Sequence, residues 1–196
     1  MNQALKTFTV GVMVPFSSLA QTKWTVDPIH SKVKFTVTHL VITEVEGSFK
    51  VYAGSMQATP DFSQAAVDFS VDVKSIDTDN EMRDNHLRSD DFFNAEKYPS
   101  MIFKSVSWKK IDDHNYLLEG DLTIRDITRR VTFNIVYGGS MNDAYGNLKA
   151  GFKATAVINR FDYNLKWNAL TEAGGATVCK NVTIALNLEF AQQKSS

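Results

Sequence analysis

Arg83, Asp84 and His86 form the densest group of side chains able to do chemistry in this chain, inside the stretch from Ile76 to Phe103. Arg83 and His86 together would hold a polar ligand head through charge-assisted hydrogen bonds. Asp84 with His86 would instead serve as a general acid/base pair. A third reading is architectural, with Arg83 and Asp84 hydrogen-bonding a helix to the rim of the sheet it caps. Asp77 to Lys97 carries seven acids against Arg83, Arg88 and Lys97, so a strongly anionic head would need close Arg or His contacts to overcome the local field. Phe92, Phe93 and Tyr98 follow closely. They would flank a ligand tail, or anchor the segment to a core.

Other chemistry-bearing residues are sparse. Arg160, two residues before Asp162, would make an ion pair at a sheet end or a second contact to a head group. The histidines are His30, His39, His86 and His114, and none stands in H-E-x-x-H or facial-triad spacing, so no metal site is predicted. There is no G-x-S-x-G and no Gly-rich phosphate loop. Cys179 is the single cysteine, which rules out an internal disulfide, and it reads as a small, partly buried residue. Asp90-Asp91 and Asp112-Asp113 are adjacent acids of the kind that hydrogen-bond locally in turns and caps. No catalytic residue, metal ligand or cofactor is assigned.

The elements that must position these groups are mostly strands. Val33, Phe35 and Val37 alternate with polar neighbours, and so do Val67, Phe69, Val71 and Val73. The same period returns in Tyr116 to Ile124, Val131 to Tyr137, Leu148 to Ala156 and Val182 to Phe190. Gly47 and Gly54 are expected to be bulges or kinks in the stretch Val45 to Met56. Asp112 to Asn115 reads as a hairpin turn, and Gly138-Gly139 to Gly146-Asn147 as a loop. Between these strands the period changes. Thr78 followed by Glu81 predicts a capping box opening a helix at Asp79, and Ser89 would cap a second short helix through Phe92 and Phe93. Tyr98-Pro99 then returns the chain to an extended conformation.

So many alternating strands leave exposed edges unless the sheet closes. The expectation is an all-β fold: one extended antiparallel barrel of about eight strands with a short helical insertion, able to enclose one small ligand. At 196 residues, 43% hydrophobic and 22% charged, with a formal net charge of −1, the chain has the bulk of one soluble domain and no electrostatic bias towards nucleic acid. Thirteen Phe would fill a core or line a cavity. Residues 1–20 have the charged, apolar and small-residue order of an export signal, whose apolar run, Phe8 to Phe16, is too short to span a bilayer. The barrel domain is then 21–196, with no transmembrane segment in the mature chain, and its location periplasmic or secreted.

These residues also carry a resemblance. W-x-V-D-P-x-H-S from Trp24 to Ser31, F-x-V-x-H-L from Phe35 to Leu40 and G-x-F at Gly47 to Phe49 occur in order. R-D-x-H-L from Arg83 to Leu87, D-F-F at Asp91 to Phe93, Tyr98-Pro99, F-K-S at Phe103 to Ser105, then Gly120, Leu122, Thr123, Thr128, Arg160 and Asp162 complete the set. With these the chain resembles the YceI-like family of lipocalin-like polyisoprenoid-binding proteins, from Trp24 to Phe190. The resemblance implies an apolar channel for a long isoprenoid chain, with a polyprenyl diphosphate or an isoprenoid quinone as ligand class and no other cofactor. The ligand-binding residues taken with it are Arg83, Asp84, His86, Phe92, Phe93 and Arg160, with Phe35, Phe69 and Phe152 on the apolar strand faces. Two departures stand out: Asp126-Ile127-Thr128 where the family often has Gly-Val-Thr, and Tyr163-Asn164 where it often has an aromatic followed by Gly. Asn164 can take the left-handed backbone that Gly would.

Three functions fit this reading. The first is binding, transport or storage of an isoprenoid lipid. The second is an enzyme acting on a lipid head group through His86 and Asp84. The third is an envelope-stress interaction barrel filled by its own Phe side chains. A homodimer is compatible with each.

Overall fold

Inward and outward residues separate along each strand as the period-two pattern requires, and in Asn115–Ile124 every second residue from Tyr116 is buried. The structure is a computed structural model, and it describes residues 21–167 and 177–194. The export signal expected over residues 1–20 lies outside the described residues, as does the segment 168–176. The strands are β1 (Thr22–Val26), β2 (Lys32–His39), β3 (Thr43–Phe49), β4 (Tyr52–Ala58), β5 (Ala65–Asp72) and β6 (Ile76–Asp77). After helix α1 (Glu81–Arg88) come β7 (Ser100–Lys110), β8 (Asn115–Ile124), β9 (Ile127–Asn142), β10 (Leu148–Asn159) and β11 (Val178–Gln192).

Three pairs of short strands each share one course around the barrel. β2 pairs with β3 while β1 pairs with β4, and β4 pairs with β5 while β3 pairs with β6. β11 takes β2 along its first part and β1 at its end, where Trp24 to Val26 meet Phe190 to Gln192. The result is a closed antiparallel barrel of eight staves in up-and-down order, as expected from the alternation. Among the described residues no ladder joins β6 to β7. The 78–99 insertion, with α1, spans that interval.

The insertion differs from its sequence reading in two ways. Asn80, not Thr78, is the N-cap, and its side chain accepts from the Arg83 backbone N–H at 3.0 Å. Thr78 is instead buried, donating through its N–H (3.0 Å) and hydroxyl (2.6 Å) to Asp84 Oδ1. Arg83 Nε donates to Thr78 Oγ1 at 2.7 Å and its Nη2 to the Thr78 carbonyl at 2.6 Å. The second helix is absent. Ser89 is the C-cap of α1, and residues 89–97 run as successive turns. Arg125 holds them, donating from Nη1 to the Phe92 carbonyl (3.0 Å) and pairing with Asp90 (2.9 Å).

Gly47 and Gly54 also differ from expectation. Both sit in regular ladders, opposite Phe35 and Phe69, whose rings lie where a Cβ would stand. The kink falls at Lys50-Val51, whose N–H groups go to Ser75. β9 likewise runs through Gly138-Gly139 to Asn142, with a register shift opposite Gly151, so that the loop shrinks to residues 143–147.

One end of the barrel is plugged. Phe62, in the β4–β5 connection, folds inward with φ 53° and is 4% exposed. Its ring packs on Trp24, Tyr137 and Phe152 with centroids 5.2–5.5 Å apart, while Trp108 Nε1 donates to its carbonyl at 2.8 Å. Outside the wall, Lys149 Nζ holds Asp27 (2.8 Å) and Glu189 (3.2 Å), tying the β1–β2 elbow to β10 and β11. That lysine hydrogen bond is the main reason the Asp27 carboxyl titrates far below its ordinary value of 3.8.

Two outcomes test these anchors. Asp84→Ala leaves the Thr78 N–H and hydroxyl buried without their acceptor and is expected to cost about 2–3 kcal/mol in urea unfolding. Asp27 is more acidic folded than unfolded, so its pairing contributes stability above the unfolded value and loses it as pH falls through and below about 4. Lys149→Met is therefore expected to be less stable than the parent at pH 7, with the gap narrowing below about pH 4 when melting curves are compared.

Candidate functional site

Inside the staves lies an apolar cavity of about 200 Å³. A single water needs roughly 10–15 Å³, so this space is far larger than a packing defect. Met56, Val67, Trp108, Leu118 and Phe190 line it near the aromatic plug. Phe103, Phe133, Ile184 and Leu186 form its waist, and Leu87, Leu165, Val178 and Val182 lie towards the end where α1 sits. Room is left because β10 presents Ala150, Ala154 and Ala156 inward, all at least 95% buried, opposite these larger residues. Keeping such a volume empty would cost about 5 kcal/mol at roughly 24 cal/mol per Å³. The Phe side chains line the space rather than fill it.

Six of the nine residues singled out from the sequence line this cavity: Phe35, Phe69, Phe92, Phe93, Phe152 and Arg160. Phe152 belongs to the plug end, edge-on to Phe62 and Phe190. Phe92 and Phe93 hang from the insertion, Phe93 edge-on to Phe49 at 6.1 Å. The other three turn elsewhere. Arg83 and Asp84 are engaged with Thr78, which is the architectural reading of that pair. His86 does not join Asp84: its Nε2 lies 2.9 Å from Asp91 Oδ2, and its ring stands edge-on to Phe92 and Trp167 at 5.1 and 4.9 Å. The three residues lie within four positions in R-D-x-H, yet on a helix they point around its circumference rather than at one ligand.

Arg160 is the buried charged residue of the cavity lining; Lys34, which also borders it, carries its ammonium out to Glu46. Arg160 is 3% exposed, in a 3-10 turn (Arg160–Tyr163) that follows β10. Asn159 caps the turn by accepting from the Phe161 N–H, and Asn164 ends it in the left-handed conformation at φ 60°. The asparagine does there what glycine would. The guanidinium donates to the carbonyls of Cys179 (3.0 Å), Trp167 (2.8 Å), Val178 (3.0 Å) and Leu165, and it stacks over Phe161 at 4.5 Å. Asp162 is not its partner, since that carboxylate accepts from Asn159 Nδ2 instead. Among the described residues no carboxylate pairs with Arg160, and burial pushes its pKa down. Four carbonyl dipoles satisfy its donors without cancelling the charge. Among the described residues, one N–H of Nη2 has no acceptor.

Trp167 was not singled out from the sequence. It stacks beside Phe92 at 5.3 Å and joins the Arg160 turn to the insertion. Its signal is weak: a tryptophan in N-L-K-W, beyond any alternating segment. Leu87 was legible only as the last letter of R-D-x-H-L. Leu165 and Val178 are bridged by the Arg160 guanidinium, which donates to both carbonyls, a closeness that no local pattern encodes.

Comparison with known proteins places this geometry. A UPF0312 protein of Staphylococcus epidermidis is 36% identical over 172 residues, covering 87% of this chain and 98% of that protein. A solved YceI protein of Campylobacter jejuni is 31% identical with a TM-score of 0.66, over 81% of this chain and 90% of its own. A polyisoprenoid-binding domain from Saccharophagus degradans, implicated in plant cell wall breakdown, shares the fold at 14% identity and a TM-score of 0.61, over 87% and 98% of the two chains. The YceI-like domain matches residues 24–190, from the first strand through the last residues that close the barrel, and the chain belongs to that family.

Proposed function

We propose that this protein binds a long-chain isoprenoid lipid, with its tail in the barrel cavity and its polar head towards Arg160. The observation that carries the reading is the blind apolar cavity itself, plugged by Phe62 at one end and ending near a single buried cation at the other. A tail released from water into this space gains roughly 0.8 kcal/mol per CH₂, whereas an empty cavity only costs. The Arg160 charge and its spare N–H suit a head with an acceptor oxygen, as in a polyprenyl diphosphate or an isoprenoid quinone. The fold shared with a polyisoprenoid-binding domain supports the same ligand class. The acid/base reading of Asp84 with His86 has no support in the geometry, since the two are engaged separately. An export signal in residues 1–20 would deliver the barrel to the periplasm or beyond.

Native mass spectrometry with organic extraction, on protein expressed with its own leader, is expected to show a stoichiometric extra mass that extracts as an isoprenoid. An apolar ligand of another class, or none after saturation with ubiquinone, overturns the reading. Ala154→Phe places a ring inside the cavity from β10. It is expected to melt at or above the parent's temperature, because filling a cavity stabilises, while retaining at least about tenfold less isoprenoid.

A further inference from the structure

The turn joining β2 to β3 is built from residues that such a turn disfavours. Ile42 N–H donates to the His39 carbonyl at 3.2 Å, and Leu40 and Val41 between them have φ of 51° and 64°. Two central residues in the left-handed region make a type I′ turn, for which Asn-Gly is the preferred pair. Leu and a β-branched Val are strained there. Packing covers part of Leu40 but little of Val41. Leu40 is 39% exposed, Val41 74% and Ile42 83%, so three consecutive apolar side chains stand in water on a strained tip.

The position of the tip gives the exposure a purpose. Leu40 N–H is bonded to the Thr177 carbonyl at 2.9 Å, and His39 pairs with Val178 in the last rung of the β2–β11 ladder. Val178 and Val37 both line the cavity. Only Thr38 and His39 therefore separate the tip from the cavity-lining Val37, and it stands one rung beyond Val178, at the end of the barrel opposite the Phe62 plug. A narrow turn of three side chains offers far less than the roughly 800 Å² per partner of a standard protein interface. A lipid bilayer needs no such area or matching shape, since single apolar side chains partition into it one by one. None of residues 40–43 carries a charge.

We propose that the β2–β3 tip is a membrane-docking device: Leu40, Val41 and Ile42 enter the acyl layer of a bilayer and set the cavity mouth against it. An amphiphile then passes between bilayer and barrel without crossing water. The inference rests on the lipid-binding reading for its purpose, but not for its test.

Flotation of the full chain with phosphatidylcholine vesicles is the experiment, read with and without high salt. The parent is expected to float with the vesicles equally in both, because partition rather than charge drives docking. Leu40→Asn/Val41→Gly installs the pair that the turn prefers, so the variant is expected to melt at the same or a higher temperature and to float at least about tenfold less. Ile42→Asp, which leaves the strained backbone pair alone, is expected to lose flotation similarly. A parent that stays off the vesicles, variants that float like the parent, or binding confined to anionic vesicles at low salt each overturns the proposal. Flotation without any retained isoprenoid would leave the docking tip standing and remove the ligand reading; an isoprenoid-loaded protein that never floats would do the reverse.

Discussion

The hydrogen-bonded seam between β1 and β11 is the constraint on which the rest of this structure depends. Three residue pairs, Trp24 to Val26 against Phe190 to Gln192, complete the closure that the β2–β11 ladder begins on the same stave. Without that seam the end of β11 and the facing edge of β1 would present unpaired N–H and C=O groups to water. With it, every second residue of eight staves is committed to one enclosed space. The Asp27–Lys149–Glu189 cluster lies beside the seam, where β1 turns into β2, and ties that elbow to two staves at once.

A closed barrel of this size need not be hollow. Side chains alone can fill an eight-stranded interior. Here the interior stays open because β10 contributes Ala at three of its five inward positions while the opposite staves contribute Phe and Leu, and because the bulky plug is concentrated at one end. Trp24, Phe62, Trp108, Tyr137 and Phe152 stack there, leaving apolar volume along the axis. At the other end the barrel wall is interrupted between β6 and β7, and the insertion covers the interval with Leu87, Phe92 and Phe93. The wall gap and the insertion are consequences of one feature, the early departure of the chain from β6.

Polar chemistry is rationed in this interior, and each buried charge is handled differently. Asp84 is neutralised structurally, by two Thr78 donors with Arg83 behind them. Arg160 is given four carbonyls and no described carboxylate. A buried cation satisfied only by dipoles still carries its field into the low-dielectric cavity, where it acts over a longer range than in water. That asymmetry sets Arg160 apart from the denser Arg83–Asp84–His86 group, whose members are engaged elsewhere. The strained apolar turn at the same end is a second departure from what folding alone favours.

Alternation of side chains determined the strands, the up-and-down order and the closed barrel, because a period of two is a local property with one physical solution for long antiparallel staves. Asn164 as a left-handed residue was equally legible, since its preference is carried by the residue itself. The density of charge in R-D-x-H was visible too, but its meaning was not: helix phase sends Arg83 and Asp84 to Thr78 and His86 to Asp91, and phase relative to the barrel is set by packing. Gly47 and Gly54 read as kinks because a bare strand position has two uses, and only the cross-strand Phe35 and Phe69 rings decide which. The hollow interior and the solitary state of Arg160 belong wholly to the tertiary structure. Both depend on which side chains, from β2 to β11, face one another across the axis, and sequence distance carries no information about that.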